Sequence, residues 1–281
     1  MFTLRLGGKR RKLQLSPNEY SKGNRVALCE LHFNSLPSVG KMTSAMAIVP
    51  EGKSGPFPVF YLLHGLSDNH TAWTRRSSIE RYVQDLPLIV VMPNGERSFY
   101  TDAAANYNAA FETYIMRDLI GFVDSTLQTI PTREGRVIGG LSMGGYGAVK
   151  LALKHPNMFC AAVSHSGALG RASDLTEDND SDWSREVRAI FGPSPQGGDN
   201  DLFALAEKID RSKMPALRID CGVDDFLIEH NRSFHAHLNS LNIAHEYEEF
   251  PGDHTWAYWD THVQEAIAFF LRQLGITTGG D

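Results

Sequence analysis

The chain alternates between two hydrophobic periods. Residues 58–63 and 88–92 are nearly continuous apolar runs, too short for core helices and flanked by turn residues. That is the pattern of strands buried on both faces. The segments 160–164, 216–221 and 245–250 read as further short strands. Between the strands, apolar residues return every three or four positions, the spacing of one helix face. Ile115, Leu119, Phe122, Val123 and Leu127 predict a helix over 111–127, and 77–84, 227–241 and 256–274 predict three more. Ahead of all these, 26–34 and 42–49 read as strands joined through a turn at Pro37 and Gly40. Strands alternating with helices predict an α/β fold with a mostly parallel sheet covered on both faces. The first two strands should form its antiparallel edge.

Length and charge refine this outline. At 281 residues the chain is long enough for one large α/β domain, and no internal repeat or linker divides it. One domain over 26–275 is expected, with 167–215 as a small cap-like insertion. Within the insertion, 174–182 is an acidic, Ser/Asn-rich loop pattern with two short helices beyond it. The net charge of −6 is uneven: residues 1–25 hold seven Lys or Arg against Glu19 alone, a balance of +6 that leaves −12 for the rest. This basic stretch reads as a solvated tail. It lacks the apolar core of a secretory signal, so a cytoplasmic location is expected. Nothing in the composition calls for a nucleic-acid or membrane partner; the partner expected is a small-molecule substrate, with a homo-oligomer left open. Cys29, Cys160 and Cys221 all fall in predicted strands without metal-like spacing, and are expected to pack as buried apolar residues.

The segment Arg136-Val-Ile-Gly-Gly-Leu-Ser-Met-Gly-Gly-Tyr-Gly-Ala148 carries the chemistry. A β-branched run enters it, and a small-residue helix pattern follows through Lys154. Ser142 sits between Gly140 and Gly144, as in a nucleophile elbow, where a strained turn lifts the hydroxyl clear of the sheet. Such a serine needs a base within hydrogen-bond reach, and in this chain order an acid and then a histidine follow it on loops after later strands. The loop after 216–221 offers Asp224 and Asp225, of which Asp225 is preferred; either could instead cap the following helix. Asp220 lies inside the strand and is set aside. The loop Phe250-Pro-Gly-Asp-His-Thr-Trp256 places His254 just before a helix, as the base should be. His230, His235 and His237 lie along a helix and His245 in a strand, positions that suit solvated or capping roles.

Acyl transfer also needs donors for the oxyanion. The amide of Met143, directly after the serine, is one; the amide of Leu66, in the loop His64-Gly65-Leu66-Ser67, is assigned as the other. His64 is read as shaping this loop by hydrogen bonding. Gly65, Tyr100 and Trp256 are the expected substrate contacts, Tyr100 because it follows the Pro93-Asn-Gly95 turn. For Trp73, Tyr258 and Trp259, core packing competes with a place in the pocket wall.

The strand-end HGL, the elbow GLSMGGYGA, the CGxxDFL loop and the GDHTWxYW segment together resemble the esterase D-like esterases of the α/β-hydrolase fold. That group includes tributyrin esterases, S-formylglutathione hydrolases, some feruloyl esterases and mycolyltransferases. The resemblance runs from about residue 27 to 274. It implies Ser142 as nucleophile, Asp225 as orienting acid, His254 as general base and the Leu66 and Met143 amides as oxyanion hole. The S-formylglutathione hydrolase branch typically has a histidine where this chain has Tyr146, and a cysteine-containing loop where this chain has 66–73. The tributyrin-esterase branch is the closer match.

The expectation is therefore a serine carboxylesterase acting on short acyl esters through an acyl-enzyme, with no metal or organic cofactor. The alternatives are a thioesterase such as S-formylglutathione hydrolase, a feruloyl-type esterase, an acyltransferase, and a catalytically silent binding module.

Overall fold

A computed structural model describes residues 25–106, 108–173 and 181–277. Residues 1–24 of the basic tail, most of the acidic 174–182 loop and the last four residues lie outside the described residues, while Arg25 opens the first strand. Ser181 and Asp182, the end of that acidic run, belong instead to a helix: Ser181 accepts the Ser184 N–H as N-cap of Asp182–Phe191.

Eight strands form one sheet in the order β1-β2-β4-β3-β5-β6-β7-β8. They are β1 (Arg25–Ser35), β2 (Lys41–Glu51), β3 (Val59–Leu63), β4 (Ile89–Pro93), β5 (Arg136–Leu141), β6 (Ala161–His165), β7 (Ala216–Gly222) and β8 (Glu246–Phe250). β2 runs antiparallel to β1 and β4; every other pair is parallel. The α/β-hydrolase expectation and its antiparallel N-terminal edge match this arrangement. The turn between β1 and β2 is a short helix, Leu36–Val39, closed by Gly40 at φ 68°.

The central strands alternate between two cores. Val59, Tyr61 and Leu63 face one, shared with the helices Met143–Lys154, Leu202–Lys208 and Ile228–Ser240. Phe60 and Leu62 face the other, shared with Ile79–Val83 and the closing helix Trp256–Gln273. Apolar residues on both faces are what made these strands read as continuous apolar runs.

Three predicted features differ in detail. The expected helix at 77–84 is the second of two short helices, Ala72–Arg76 and Ile79–Val83. Ser77 breaks them with extended backbone, donating to the Trp73 carbonyl and accepting the Ile79 N–H. The helix expected over 111–127 contains a π-helical stretch, Tyr114–Leu119, between α-helical Phe111–Thr113 and Ile120–Thr126. The widened turn shifts the phase of the face, so that Tyr114, Ile115, Leu119, Ile120 and Val123 are all buried. Of the three cysteines only Cys221 is fully buried; Cys29 and Cys160 are half-buried, and Cys160 lies just before β6. β1 has a strand neighbour on one side only, so Cys29 keeps an exposed flank.

No helix among the described residues is long and apolar enough to cross a membrane. The carboxyl ends of the parallel strands all point to one rim of the sheet, where α/β folds place their sites.

Candidate active site

β5 delivers Ser142 to that rim. Ser142 has φ 53° and ψ −116°, a left-handed conformation that a non-glycine residue occupies only when its surroundings force it. Here its N–H donates to the His165 carbonyl (2.9 Å), and its own carbonyl accepts the N–H groups of Tyr146 (3.1 Å) and Ala168 (3.2 Å). The glycines permit the turn. A Cβ on Gly140 would lie 2.6 Å from the Gly144 carbonyl carbon, and one on Gly144 would lie 2.6 Å from the Leu63 oxygen.

His254 Nε2 lies 3.0 Å from Ser142 Oγ, and His254 Nδ1 lies 2.8 Å from Asp225 Oδ2 and 3.0 Å from Oδ1. Two backbone bonds zip the loops that carry these residues: Val223 N–H to the Phe250 carbonyl (2.9 Å) and Asp224 N–H to the Gly252 carbonyl (3.0 Å). Asp224 points to solvent, whereas Asp225 is buried. Asp225 Oδ1 also accepts the Leu227 N–H at 2.8 Å, just ahead of the helix Ile228–Ser240. Burial alone would raise the Asp225 carboxyl, but the hydrogen bonds from His254 and the Leu227 amide outweigh it and hold the group below its usual value. The His254 ring contacts Phe226 at a tilt (centroids 4.5 Å apart) and Trp259 edge-to-face (4.9 Å). Serine, imidazole and carboxylate are thus in the order that allows a proton to leave Oγ for Nε2 while the carboxylate holds Nδ1–H.

The loop after β3 is fixed by His64. Its Nδ1–H donates to the Gly65 carbonyl (2.7 Å), and its Nε2 accepts the Gly95 N–H (2.8 Å). This needs the neutral ring, and burial does lower its pKa to about 4. The Gly65 carbonyl also accepts the Asp68 N–H at 3.2 Å. Because the peptide is planar, pinning the Gly65 carbonyl pins the Leu66 N–H. Leu66 and Met143, the residues of the expected oxyanion hole, both line the cavity that Ser142 floors.

Ser142 opens onto two depressions. One, of about 320 Å³, is mostly apolar, lined by Leu66, Phe99, Met143, Ala168, Trp183 and Leu227 with Arg171 beside them. The other, of about 940 Å³, holds His254 with Gly65, Asp68, Arg76, Thr255 and Trp256. Phe226, 74% exposed, stands between them and lines both. Trp183 belongs to the helix Asp182–Phe191, and Arg171 stacks over its ring at 5.4 Å. That helix is fastened to the loop 97–105 by a two-point Arg97–Glu186 ion pair (2.6 and 2.7 Å) and by the Ala104 and Ala105 amides on the Ile190 and Ala189 carbonyls.

Of the expected substrate contacts, Gly65 and Trp256 line the larger depression. Tyr100 does not face either one. It is completely buried behind the site, its hydroxyl donating to the His64 carbonyl at 3.0 Å, because Phe99 and Tyr100 both adopt φ 52° and turn the ring inward. Trp73 is likewise core, its indole N–H on the Leu63 carbonyl (3.1 Å). The sequence reading missed Phe226 and Trp183; for Phe226 the available signal was its place directly after Asp225, and for Trp183 there was none. It also missed His165, whose Nδ1 lies 2.8 Å from the buried carboxylate of Asp220. No group of three or more His, Cys, Asp or Glu among the described residues could hold a metal ion.

Residues 38–270 match the family model described as "Putative esterase". The acetyl esterase of Caldicellulosiruptor saccharolyticus is 31% identical over 88% of this chain and 99% of its own length. Among solved structures, the fluorophosphonate-binding serine hydrolase F of Staphylococcus aureus superposes with a TM-score of 0.78 at 31% identity. The S-formylglutathione hydrolase of Staphylococcus aureus superposes with a TM-score of 0.77 at 33% identity. Each structure aligns with 88% of this chain over 99% of its own length.

Proposed function

The chain belongs to this esterase family and is a carboxylic ester hydrolase, and we propose that it is a serine carboxylesterase for esters of short acyl acids, nearest in kind to the tributyrin esterases. The observation that carries the reading is the unbroken contact from Asp225 through His254 to Ser142 at the floor of a small apolar cavity.

Ser142 Oγ attacks the ester carbonyl as His254 Nε2 takes its proton. The oxyanion is held by the amides of Met143, at the positive end of its helix, and Leu66. The imidazolium, paired with Asp225, then protonates the leaving alkoxide, and a water activated by His254 releases the acid. The alcohol must therefore depart on the side where His254 stands, the larger depression with Gly65 and Trp256. The acyl chain is left with the apolar cavity, which Trp183 and Phe99 help to line. At about 320 Å³ the cavity is at the small end of ligand pockets, and the preference for short acids rests on the likeness to an acetyl esterase.

The test is hydrolysis of p-nitrophenyl acetate, butyrate and octanoate and of a hydroxycinnamate ester, by wild type and Ser142→Ala. Turnover should fall with acyl length, and the variant should lose about 10⁴-fold or more. Near-normal turnover by Ser142→Ala would overturn the assignment, and preference for the hydroxycinnamate would move it to feruloyl-type esters. A second reading, hydrolysis of S-acyl thioesters, is favoured by the 33% identity to an S-formylglutathione hydrolase and disfavoured by Tyr146 in the elbow. Comparing kcat/KM for an oxyester and its matched thioester separates the two.

A further inference from the structure

Lys150 lies two turns beyond the serine on the elbow helix and is completely buried. A packing role alone would not place a charge there, since burying an ammonium is costly unless all its protons are met. All three are met: Nζ donates to the Tyr100 carbonyl (2.6 Å), Thr101 Oγ1 (2.9 Å) and Glu112 Oε2 (2.9 Å). Glu112 in turn is held by Lys154 and by His155 at 2.8 Å. Burial pushes the lysine down to about 8, with Glu112 opposing, so it remains charged at neutral pH.

What Lys150 grips is the strained loop. Phe99 and Tyr100 are consecutive bulky residues at φ 52°, a conformation that persists only when the surroundings over-determine it. The loop touches both sides of the oxyanion hole. Phe99 N–H points at Met143 Sδ (3.3 Å), and the Tyr100 hydroxyl donates to the His64 carbonyl (3.0 Å). The His64–Gly65 peptide so fixed leads directly into the Leu66 amide. Gly95 and Gly147 flank the Tyr100 ring so closely that a Cβ on either would collide with it, which leaves the ring one position.

We infer that Lys150, with Glu112 as counter-ion, is a positioning residue for the oxyanion hole and acts through Tyr100. The inference rests on the serine-esterase reading above. It identifies a purpose for the one lysine on the elbow helix that the hydrolytic steps do not use and that solvent does not reach.

The test compares wild type with Tyr100→Phe, which keeps the ring and removes only the hydroxyl, and with Lys150→Met. Active sites are counted by stoichiometric organophosphonate labelling, so that kcat is expressed per competent Ser142. Losing one oxyanion donor outright costs about 10²–10³-fold, so a displaced donor in Tyr100→Phe should lower kcat about tenfold. KM should stay within about twofold, because the loss is confined to the transition state. Affinity for an alkyl boronate, which presents a tetrahedral oxyanion to the hole, should fall by the same factor as kcat. The double variant should lose no more than the worse single one, since both changes release the same loop. Tyr100→Phe with unchanged kcat per labelled site, whatever its melting temperature, would overturn the inference. So would a rise in KM at constant kcat. If Lys150→Met does not fold, an unchanged kcat in Tyr100→Phe still overturns the inference, because the lysine then has no route to the hole. If the wild type shows no serine-dependent turnover, the esterase reading itself has failed, which is a separate result.

Discussion

Asp225–His254 and Asp220–His165 are the same pair of side chains twice over. In each, Nδ1 meets a carboxylate oxygen at 2.8 Å and the aspartate side chain is wholly buried. They part at the other nitrogen. His254 stands on a loop with its side chain 17% exposed and Nε2 on Ser142 Oγ. His165 ends β6 with its side chain 1% exposed, and its Nε2 meets no hydrogen-bond partner among the described residues. Asp220 is further tied by the Tyr258 hydroxyl (3.1 Å) and lies 4.0 Å from Arg218 Nε. A carboxylate on Nδ1 is therefore common to both and cannot be what makes a histidine a base. Access and a serine hydroxyl at Nε2 are what His254 has and His165 lacks. The inner pair serves the outer one through the backbone, since the His165 carbonyl holds the Ser142 N–H.

Matched substitutions give the largest test of this contrast. Asp225→Asn should lower kcat by about 10⁴-fold, because it upsets the tautomer and charge of the imidazole. Asp220→Asn should leave kcat per folded molecule within about threefold and reduce stability by about 3 kcal/mol as a buried pair is broken. Steady-state kinetics beside urea unfolding would decide. Equal losses of activity in the two variants would mean that the inner pair takes part in catalysis.

A third histidine sharpens the comparison because it lacks a carboxylate altogether. Burial holds the folded pKa of His64 at about 4, against an ordinary value of 6.5. As pH falls below 6.5 the unfolded chain takes up the proton first. The stability contributed by neutral His64 is therefore full above pH 6.5 and lost progressively toward pH 4, by roughly 3 kcal/mol. His64→Gln should start less stable at neutral pH and lose less on acidification. Parallel pH–stability curves for the two proteins would refute this.

The smallest effect concerns the cavity beside the pair rather than the pair itself. Trp183→Ala should raise the kcat/KM for octanoate relative to acetate by about tenfold, through added length in the acyl cavity. An unchanged ratio would move the acyl chain to the other side of Phe226.

These contrasts also mark what could be read without a structure. The meeting of Ser142, Asp225 and His254 was legible because each follows a strand end and glycine or proline marks two of the turns. The mostly parallel sheet followed from strands alternating with helices, but its strand order, with β4 between β2 and β3, did not. The inner His–Asp pair was not legible. His165 and Asp220 are 55 residues apart and meet only because β6 and β7 pair in parallel with these two as register partners. Tyr100 failed for another reason: residues after a turn read as rim, and no local signal tells that two bulky residues in succession will adopt positive φ. Phe226 was written beside Asp225, but exposure, the property that matters, is set by the tertiary fold.

The helix Asp182–Phe191 supplies Trp183 to the apolar cavity beside Ser142 yet contributes nothing to the hydrogen-bonded row of Ser142, His254 and Asp225. Its fastenings, the Arg97–Glu186 fork and two backbone bonds, are side by side on one loop. A sequence that kept this docking and exchanged the residues facing the cavity would accept different acids with unaltered chemistry. Substrate range in such an architecture can drift during evolution, or be grafted by design, without passing through an inactive ancestor.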